Sequence, residues 1–365
     1  SPHLPTQRLS NIALARQRVI EQGVGLSAPL VEGWIERSWQ RCLAWGHQPA
    51  DVVSFEAVSQ SQMGQLQEQN RPLLHAAQTE LDRLSRAIAS TRYFALLTDA
   101  NGMVIDTRGA IDARDRRASS IARVGVDLSE QVVGTTAIGA VLAEQRAIWL
   151  HRGEHFFNDN TAYSCAGAPL FNPQDGSCAG MLDLTGIDVP ERPELQHLAA
   201  QSARSIENNW IQQLAPALLL RINWAGQPLG SDSDGLMGLD ADALVVCANR
   251  TARQMTGMSP SLVVHVGDVF ATAWQTLFDM ANQPSVEIPL WSGLHVQIQA
   301  QTQAHTASLQ TPATTSAPAL KAVETELIRR AMQQARGNVA LAAQQLGISR
   351  ATLYRKIAPA PKNSD

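Results

Sequence analysis

Tyr93-Phe94-Ala95-Leu96-Leu97-Thr98-Asp99-Ala100-Asn101-Gly102-Met103-Val104-Ile105 is the stretch on which the fold turns. Upstream, from about Ile12 to Ala89, the pattern is helical. It includes Trp34-Ile35-Glu36-Arg37-Ser38-Trp39-Gln40-Arg41-Cys42 and a break near Gly46-His47-Gln48-Pro49. At Tyr93 the period changes: two short apolar runs flank Asp99-Ala100-Asn101-Gly102, the signature of a β-hairpin. Downstream, a helix is predicted around Gly134 to Glu144. Strands follow near Ile148, over Ala162 to Leu170 and over Cys178 to Leu184, the last two joined by a turn at Pro173-Gln174-Asp175-Gly176. A long helix runs from about Pro193 to Gln213. A second α/β unit starts near Ala217, with strands at Leu236 to Leu239 and Leu244 to Cys247 around Asp240-Ala241-Asp242. Asn249 opens a helix that ends at Gly257, and strands over Val286 to Leu290 and Leu294 to Ile298 close the unit. The fold class expected is α+β, multidomain.

The chain of 365 residues is 44% hydrophobic, enough for two to four packed domains. No apolar run has the length of a membrane span, and the first residues carry no charged-then-apolar signal, so a cytoplasmic protein without a membrane partner is expected. An initiator methionine is expected to have been removed ahead of Ser1. Cys42, Cys165, Cys178 and Cys247 show no metal spacing, and His47, His75, His151 and His295 show none either. No metal and no cofactor are therefore expected.

Beyond about Gln301 the composition shifts to Thr, Ala, Gln, Ser and Pro up to Ala317, as in a flexible linker. Then Leu320, Val323, Leu327, Ala331 and Ala335 stripe one helix, and two shorter helices follow. Asn338 caps the first, whose inner face is Val339, Ala342, Ala343 and Leu346; Gly347 stops it. Ser349 caps the second, with Ile348 and Leu353 at the spacing of a hydrophobic staple. This is a helix-turn-helix pattern, whose second helix enters the DNA major groove. From Pro318 onward there are eight Lys or Arg against three Asp or Glu, a net of +5 in a chain of −4. A basic tail on an acidic body is the electrostatic footprint of phosphate contact. Candidate DNA contacts are Asn338, Ser349, Arg350, Thr352, Tyr354, Arg355 and Lys356. Arg350, in the first turn, suits a guanine edge; Arg355 and Lys356 suit phosphate.

The tract Gly347-Ile348-Ser349-Arg350-Ala351-Thr352-Leu353-Tyr354-Arg355-Lys356 resembles the Fis-type DNA-binding domain at the end of bacterial enhancer-binding regulators. That resemblance implies dimeric binding to an inverted repeat. A second resemblance runs through Gly125-Val126-Asp127-Leu128-Ser129-Glu130, Gly134-Thr135-Thr136-Ala137-Ile138-Gly139, Gly153-Glu154-His155-Phe156, Tyr163-Ser164-Cys165-Ala166-Gly167-Ala168-Pro169 and Gly180-Met181-Leu182-Asp183-Leu184-Thr185-Gly186. This series, with the helical Trp-x-x-Arg-Ser-Trp-x-Arg-Cys ahead of it, is similar to the GAF sensor of the acetoin-catabolism activator family. The unit from about 217 to 300 resembles a PAS domain through Asp240 and Asn249-Arg250-Thr251-Ala252, with dimerisation or passive signal transfer as its implied role.

Members of that family usually carry an ATPase module ahead of the DNA-binding domain. Here no Gly-x-x-x-x-Gly-Lys-Ser/Thr loop occurs, nor a Gly-Ala-Phe-Thr-Gly-Ala loop, and between Ala300 and Pro318 there is room only for linker. The division read from the sequence is 1–89 helical, 90–213 GAF-like, 214–300 PAS-like, 301–317 linker, 318–358 helix-turn-helix and 359–365 tail.

Candidate effector contacts are Glu154, His155, Phe156, Ser164, Cys165 and Asp183. Glu154 and His155 can bond a small polar ligand under Phe156 and Phe157, or merely cap a turn. Cys165 and Cys178 face each other across a hairpin as a redox pair, or Cys165 alone is a sensing thiolate, or both are small buried hydrophobes. Asp183 is either a pocket carboxylate or on a solvated face. The function expected is not enzymatic: a regulator that senses a small-molecule effector, binds double-stranded DNA as a homodimer and meets RNA polymerase without hydrolysing ATP. The alternatives are an auxiliary partner of an ATPase-bearing regulator and a GAF-fold thiol enzyme.

Overall fold

The computed structural model describes residues 4–259, 263–302 and Val339. The helix-turn-helix apart from Val339, and nearly all of the linker, lie outside the described residues. In chain order the helices are α1 (Leu4–Arg16), α2 (Gly33–Ala44), α3 (Gln60–Gln69), α4 (Arg71–Ala87), α5 (Arg116–Ile121), α6 (Glu130–Val133), α7 (Ala137–Glu144), α8 (Glu194–Gln213), α9 (Arg250–Thr256) and α10 (Trp274–Asp279). The strands are β1 (Tyr93–Asp99), β2 (Val104–Gly109), β3 (Ile148–His151), β4 (Tyr163–Phe171), β5 (Cys178–Ile187), β6 (Leu218–Trp224), β7 (Gly235–Leu239), β8 (Val245–Ala248), β9 (Val286–Pro289) and β10 (His295–Thr302).

The hairpin expected at Tyr93 is present. Asp99 closes it by accepting the backbone N–H groups of Asn101 and Met103, both at 2.9 Å, while Gly102 takes a φ of 86°. The first sheet is antiparallel in the order β2-β1-β5-β4-β3, and the second, also antiparallel, runs β8-β7-β6-β10-β9.

The run Phe94-Ala95-Leu96-Leu97 is apolar without alternation because both faces of the first sheet are covered. On one face Ala95, Leu97, Ala166, Leu182 and Leu184 pack against Leu73, Ala77 and Leu81 of α4 and Ala199, Ala203 and Ile206 of α8. On the other, Phe94, Leu96, Cys165 and Met181 meet Ile35 and Trp39 of α2 and Ile138 and Val141 of α7. Each fully buried Leu, Ile, Val or Met side chain among them contributes roughly 1.5–3 kcal/mol, and each Ala less.

Three details differ from the reading above. The helix expected from Gly134 to Glu144 is α7 and begins only at Ala137, because Gly134, at φ 69° and with a Cβ position 2.8 Å from the Phe157 ring, ends the short α6 ahead of it. The strand β6 was not anticipated, although it is the centre of the second sheet. The linker cannot begin at 301, since Gln301 and Thr302 still pair with Leu219 and Leu218. Among the described residues no helix is long and apolar enough to cross a membrane.

Candidate functional site: a small apolar pocket over the first sheet

The helical motif in α2 turns its small and aromatic residues inward onto the α6–α7 connection. Glu130 accepts Arg41 Nε at 2.7 Å and Nη2 at 2.8 Å, and it also accepts the Ser38 hydroxyl, which lies 2.6 Å from Thr135 Oγ1. Gly139 lets α7 approach this carboxylate, since a Cβ there would meet Glu130 Cβ at 2.6 Å. One helical turn of α2 thus fixes the entrance to α7.

A second clamp holds the loop that follows β3. Arg16 donates to the carbonyls of Gly153 at 2.9 Å and Phe156 at 3.0 Å, and also to that of His155. Its guanidinium lies 5.8 Å from the Trp39 ring centroid, and Trp39 Nε1 donates to the Glu154 carbonyl at 2.9 Å. Loop backbone that would otherwise be left unpaired is satisfied from two different helices. The result is a fixed position for His155.

Between these clamps and the sheet is a cavity of ≈ 320 Å³ including its mouth. Its walls are Phe55, Leu96, Ile121, Leu128, Val133 and Ile138, with Thr136, His155, Asn160, Tyr163, Cys165 and Thr185 as the polar or sulfur-bearing members. The His155 ring is neutral at physiological pH, because burial pulls it down to about 4. Its Nδ1 is 2.8 Å from the Arg152 carbonyl, which can only accept, so Nδ1 carries the hydrogen and Nε2 offers a lone pair. That nitrogen is 3.9 Å from Cys165 Sγ. Asn160 donates Nδ2 to the Val133 carbonyl at 2.9 Å, and its buried Oδ1 has no partner. The pocket therefore presents an almost wholly apolar surface, with Asn160 Oδ1 buried without a partner and His155 Nε2 within reach of the Cys165 thiol alone.

Behind Cys165 the polar contacts continue. Cys165 Sγ is 3.2 Å from Thr185 Oγ1, whose hydroxyl donates to Asp183 Oδ2. Asp183 is completely buried, its Oδ1 has no partner, and burial pushes its carboxyl up to about 7.

Of the candidate effector contacts, the structure brings His155 and Cys165 to the cavity wall. Asp183 stands on the same sheet face, two residues along β5 from Thr185, but is not part of the wall, and it is not solvated. Glu154 turns elsewhere: Arg8 holds its carboxylate at 2.8 Å, and the His151 N–H donates to it at 2.7 Å. Burial raises it to about 7 even so. It ties α1 to the domain. Phe156 packs edge-on against Phe157 with centroids 5.2 Å apart and does not line the cavity. Ser164 lies on the opposite sheet face, 2.7 Å from His151 Nδ1.

The redox pair is corrected. Cys178 pairs with Phe171 and Cys165 with Thr185, so register separates the two by six residues along β4, roughly 20 Å. Burial, with the Asp183 charge, holds the Cys165 thiol well above its ordinary range, opposite to what a sensing thiolate needs. Among the described residues no His, Cys, Asp or Glu group has the arrangement of a metal site. The DNA-contact candidates Asn338, Ser349, Arg350, Thr352, Tyr354, Arg355 and Lys356 lie outside the described residues.

The acceptor Asn160 was not anticipated. It lies in a single 3-10 turn, Asn158–Ala162, with no periodicity to mark it. Thr136, Ile138, Tyr163 and Thr185 lie inside the quoted motif stretches, which was the available signal.

A family model described as the MimR N-terminal domain matches residues 10–208, more than half of the chain and the whole of this cavity. The chain belongs to this family. A model of the Fis family of bacterial regulatory proteins matches residues 319–358. Among curated relatives, the acetoin catabolism regulatory protein of Cupriavidus necator is 30% identical over 257 residues, covering 67% of this chain and 37% of that protein. The MimR activator of the propane 2-monooxygenase operon in Mycolicibacterium smegmatis is 29% identical over 196 residues, 53% of this chain and 32% of that one. The acetoin dehydrogenase operon activator AcoR of Bacillus subtilis is 27% identical over 195 residues, 52% of this chain and 31% of that one. The resemblance to acetoin-catabolism activators is thus shown, and the chain spans well under half the length of these relatives. Among solved structures, the E. coli DhaR(N)–DhaL complex aligns with a TM-score of 0.46 at 12% identity, covering 74% of this chain and 99% of that one. That likeness is too loose to carry an argument.

Proposed function

We propose that this chain is a transcription regulator whose GAF-like first domain takes a small effector into the apolar pocket and whose Fis-type segment binds DNA. The observation that carries the reading is the pocket itself, apolar-walled with His155, Asn160 and Cys165 in its lining, in one chain with a Fis-family match. A compact, mostly apolar molecule, such as a small hydroxyketone, suits that lining. Acetoin is the natural first probe, given the names of the relatives. The second, PAS-like domain passes the change on through α8, which packs against both sheets. A ligand shifts such an equilibrium only through its differential affinity for the two states.

Action without ATP hydrolysis is part of the proposal, supported by the missing phosphate-binding loop. The same observation favours a second reading, an accessory DNA-binding partner of an ATPase-bearing relative. Gel filtration of mixed proteins tells them apart, since only the second reading expects a stable mixed dimer.

Calorimetry tests the effector half. Acetoin binds the wild type, and Ile138→Trp, which fills the cavity, abolishes binding without lowering DNA affinity; binding equal in both proteins sinks the assignment. Mobility-shift titration tests the DNA half. Arg350→Ala costs roughly 1–3 kcal/mol on the cognate site and relaxes specificity at one base. Lys356→Ala weakens all sequences alike and lowers the salt dependence by about one counterion. Identical behaviour of the two variants contradicts the division between reader and phosphate contact.

A further inference from the structure

We propose that the cleft between the two α/β domains is a second binding site, for a phosphorylated small molecule held by Arg204 and Arg250. The cleft has two open lobes, ≈ 880 and ≈ 830 Å³ when counted out into solvent, which meet at Phe171, Glu207, Asn249, Arg250 and Gln254. Its walls are fixed by contacts between the domains. Asn249 Nδ2 donates to Asn208 Oδ1 at 2.9 Å, Ser205 Oγ donates to Asp232 at 2.6 Å, and the Ala248 N–H reaches the Pro173 carbonyl at 2.8 Å. A pre-formed cleft at a domain junction is where small-molecule sites concentrate.

The charge in it is one-sided. Arg146, Arg204, Arg250 and Arg253 all line the cleft. Arg146 is engaged by Glu32 at 3.0 Å, and Arg253 by the carbonyls of Pro173 and Gln174. Arg204 and Arg250 have no carboxylate at ion-pair distance among the described residues. Arg250 lies 4.9 Å over the Phe171 ring and donates to the Gln145 carbonyl at 3.3 Å, which leaves the rest of its donor fork to the cleft. Arginine forks match phosphate oxygens in pairs.

Glu207 is the one carboxyl in the lining, and it does not oppose this. It is 5% exposed, and one oxygen accepts the Phe171 N–H at 2.8 Å. Burial pushes it up to about 8, against the pull of Arg250 and Arg204, which lessens its negative charge at neutral pH. Phe171 and Met258 supply an apolar floor for the rest of the molecule.

The test is calorimetry on the full chain with inorganic phosphate, ATP, GTP and adenosine as probes, repeated on the double variant Arg204→Ala, Arg250→Ala. Both side chains are exposed, so their loss leaves the fold intact, which a thermal melt verifies. The expected result is binding of a nucleoside triphosphate, none of adenosine, and at least a tenfold loss in the double variant. Phosphate alone showing the same loss supports a site for the oxyanion itself. Binding that is equal in the double variant places the probes elsewhere, on the basic C-terminal segment for instance, and overturns the proposal. Absence of binding by every phosphate probe at millimolar concentration also overturns it.

Discussion

Trp39→Ala is expected to lower the stability of the first domain by about 3–5 kcal/mol, the range for emptying a buried aromatic site. Trp39 is fully buried in the core under α2, so its removal leaves a large void that the clamped loop cannot fill. It also strips the Glu154 carbonyl of its donor and Arg16 of the ring it covers. An unpaired buried carbonyl adds a cost of its own. Trp39→Phe keeps most of the volume and is expected to lose about half as much. Urea unfolding monitored by circular dichroism checks this through the midpoint of the first transition, with the slope unchanged. A loss under about 1 kcal/mol for the alanine variant would mean that the loop carrying His155 is held by Arg16 alone.

Asp183→Asn is expected to do the opposite at neutral pH: to stabilise. The carboxyl titrates near 7 in the folded chain because burial penalises its charged form, and near its ordinary acidic value when unfolded. Between those values the folded state holds a proton that the unfolded state has released, so stability falls as pH rises from about 4 to about 7. Each tenfold difference in proton affinity is about 1.4 kcal/mol, which puts the full penalty at roughly 4 kcal/mol. The asparagine removes it, yet its amide N–H groups lack an acceptor on the side where Oδ1 is orphaned, at a cost of about 1–3 kcal/mol. The net is a gain of about 1–3 kcal/mol at pH 8 and a loss of about 1–3 kcal/mol at pH 4. Glu154 and Glu207 are raised in the same direction, so the comparison must be wild type against variant at each pH. Thermal melts at the two pH values suffice. A variant less stable than wild type at pH 8 would show that Asp183 is charged in the folded chain and answered by a partner.

The frame was legible because local signals and tertiary burial agree. Asp99 and Gly102 announce the hairpin, Pro173 to Gly176 the next turn, and Asn249 with Gly257 both ends of α9, where Asn249 Oδ1 caps Ala252 N–H at 2.8 Å and Gly257 takes a φ of 68°. Of the site, His155 and Cys165 could be read from their motif stretches. Glu154 could not be placed, because the arginine that claims it is 146 residues away in sequence. Cys178 does not meet Cys165 for a related reason: residues on neighbouring strands meet only where register allows, and the hairpin is seven pairs deep at Cys165. Asn160 sits in irregular backbone, where spacing carries no information.

The central claim is that a molecule in the cavity alters occupancy of DNA. The most direct measurement is a footprint of the full chain on the DNA upstream of its own gene and its neighbours, with and without acetoin, for wild type and Ile138→Trp. The account predicts a protected inverted repeat whose protection changes with the effector in the wild type and does not change in the cavity-filled variant. No protection at low salt, or the same effector response in both proteins, would contradict it.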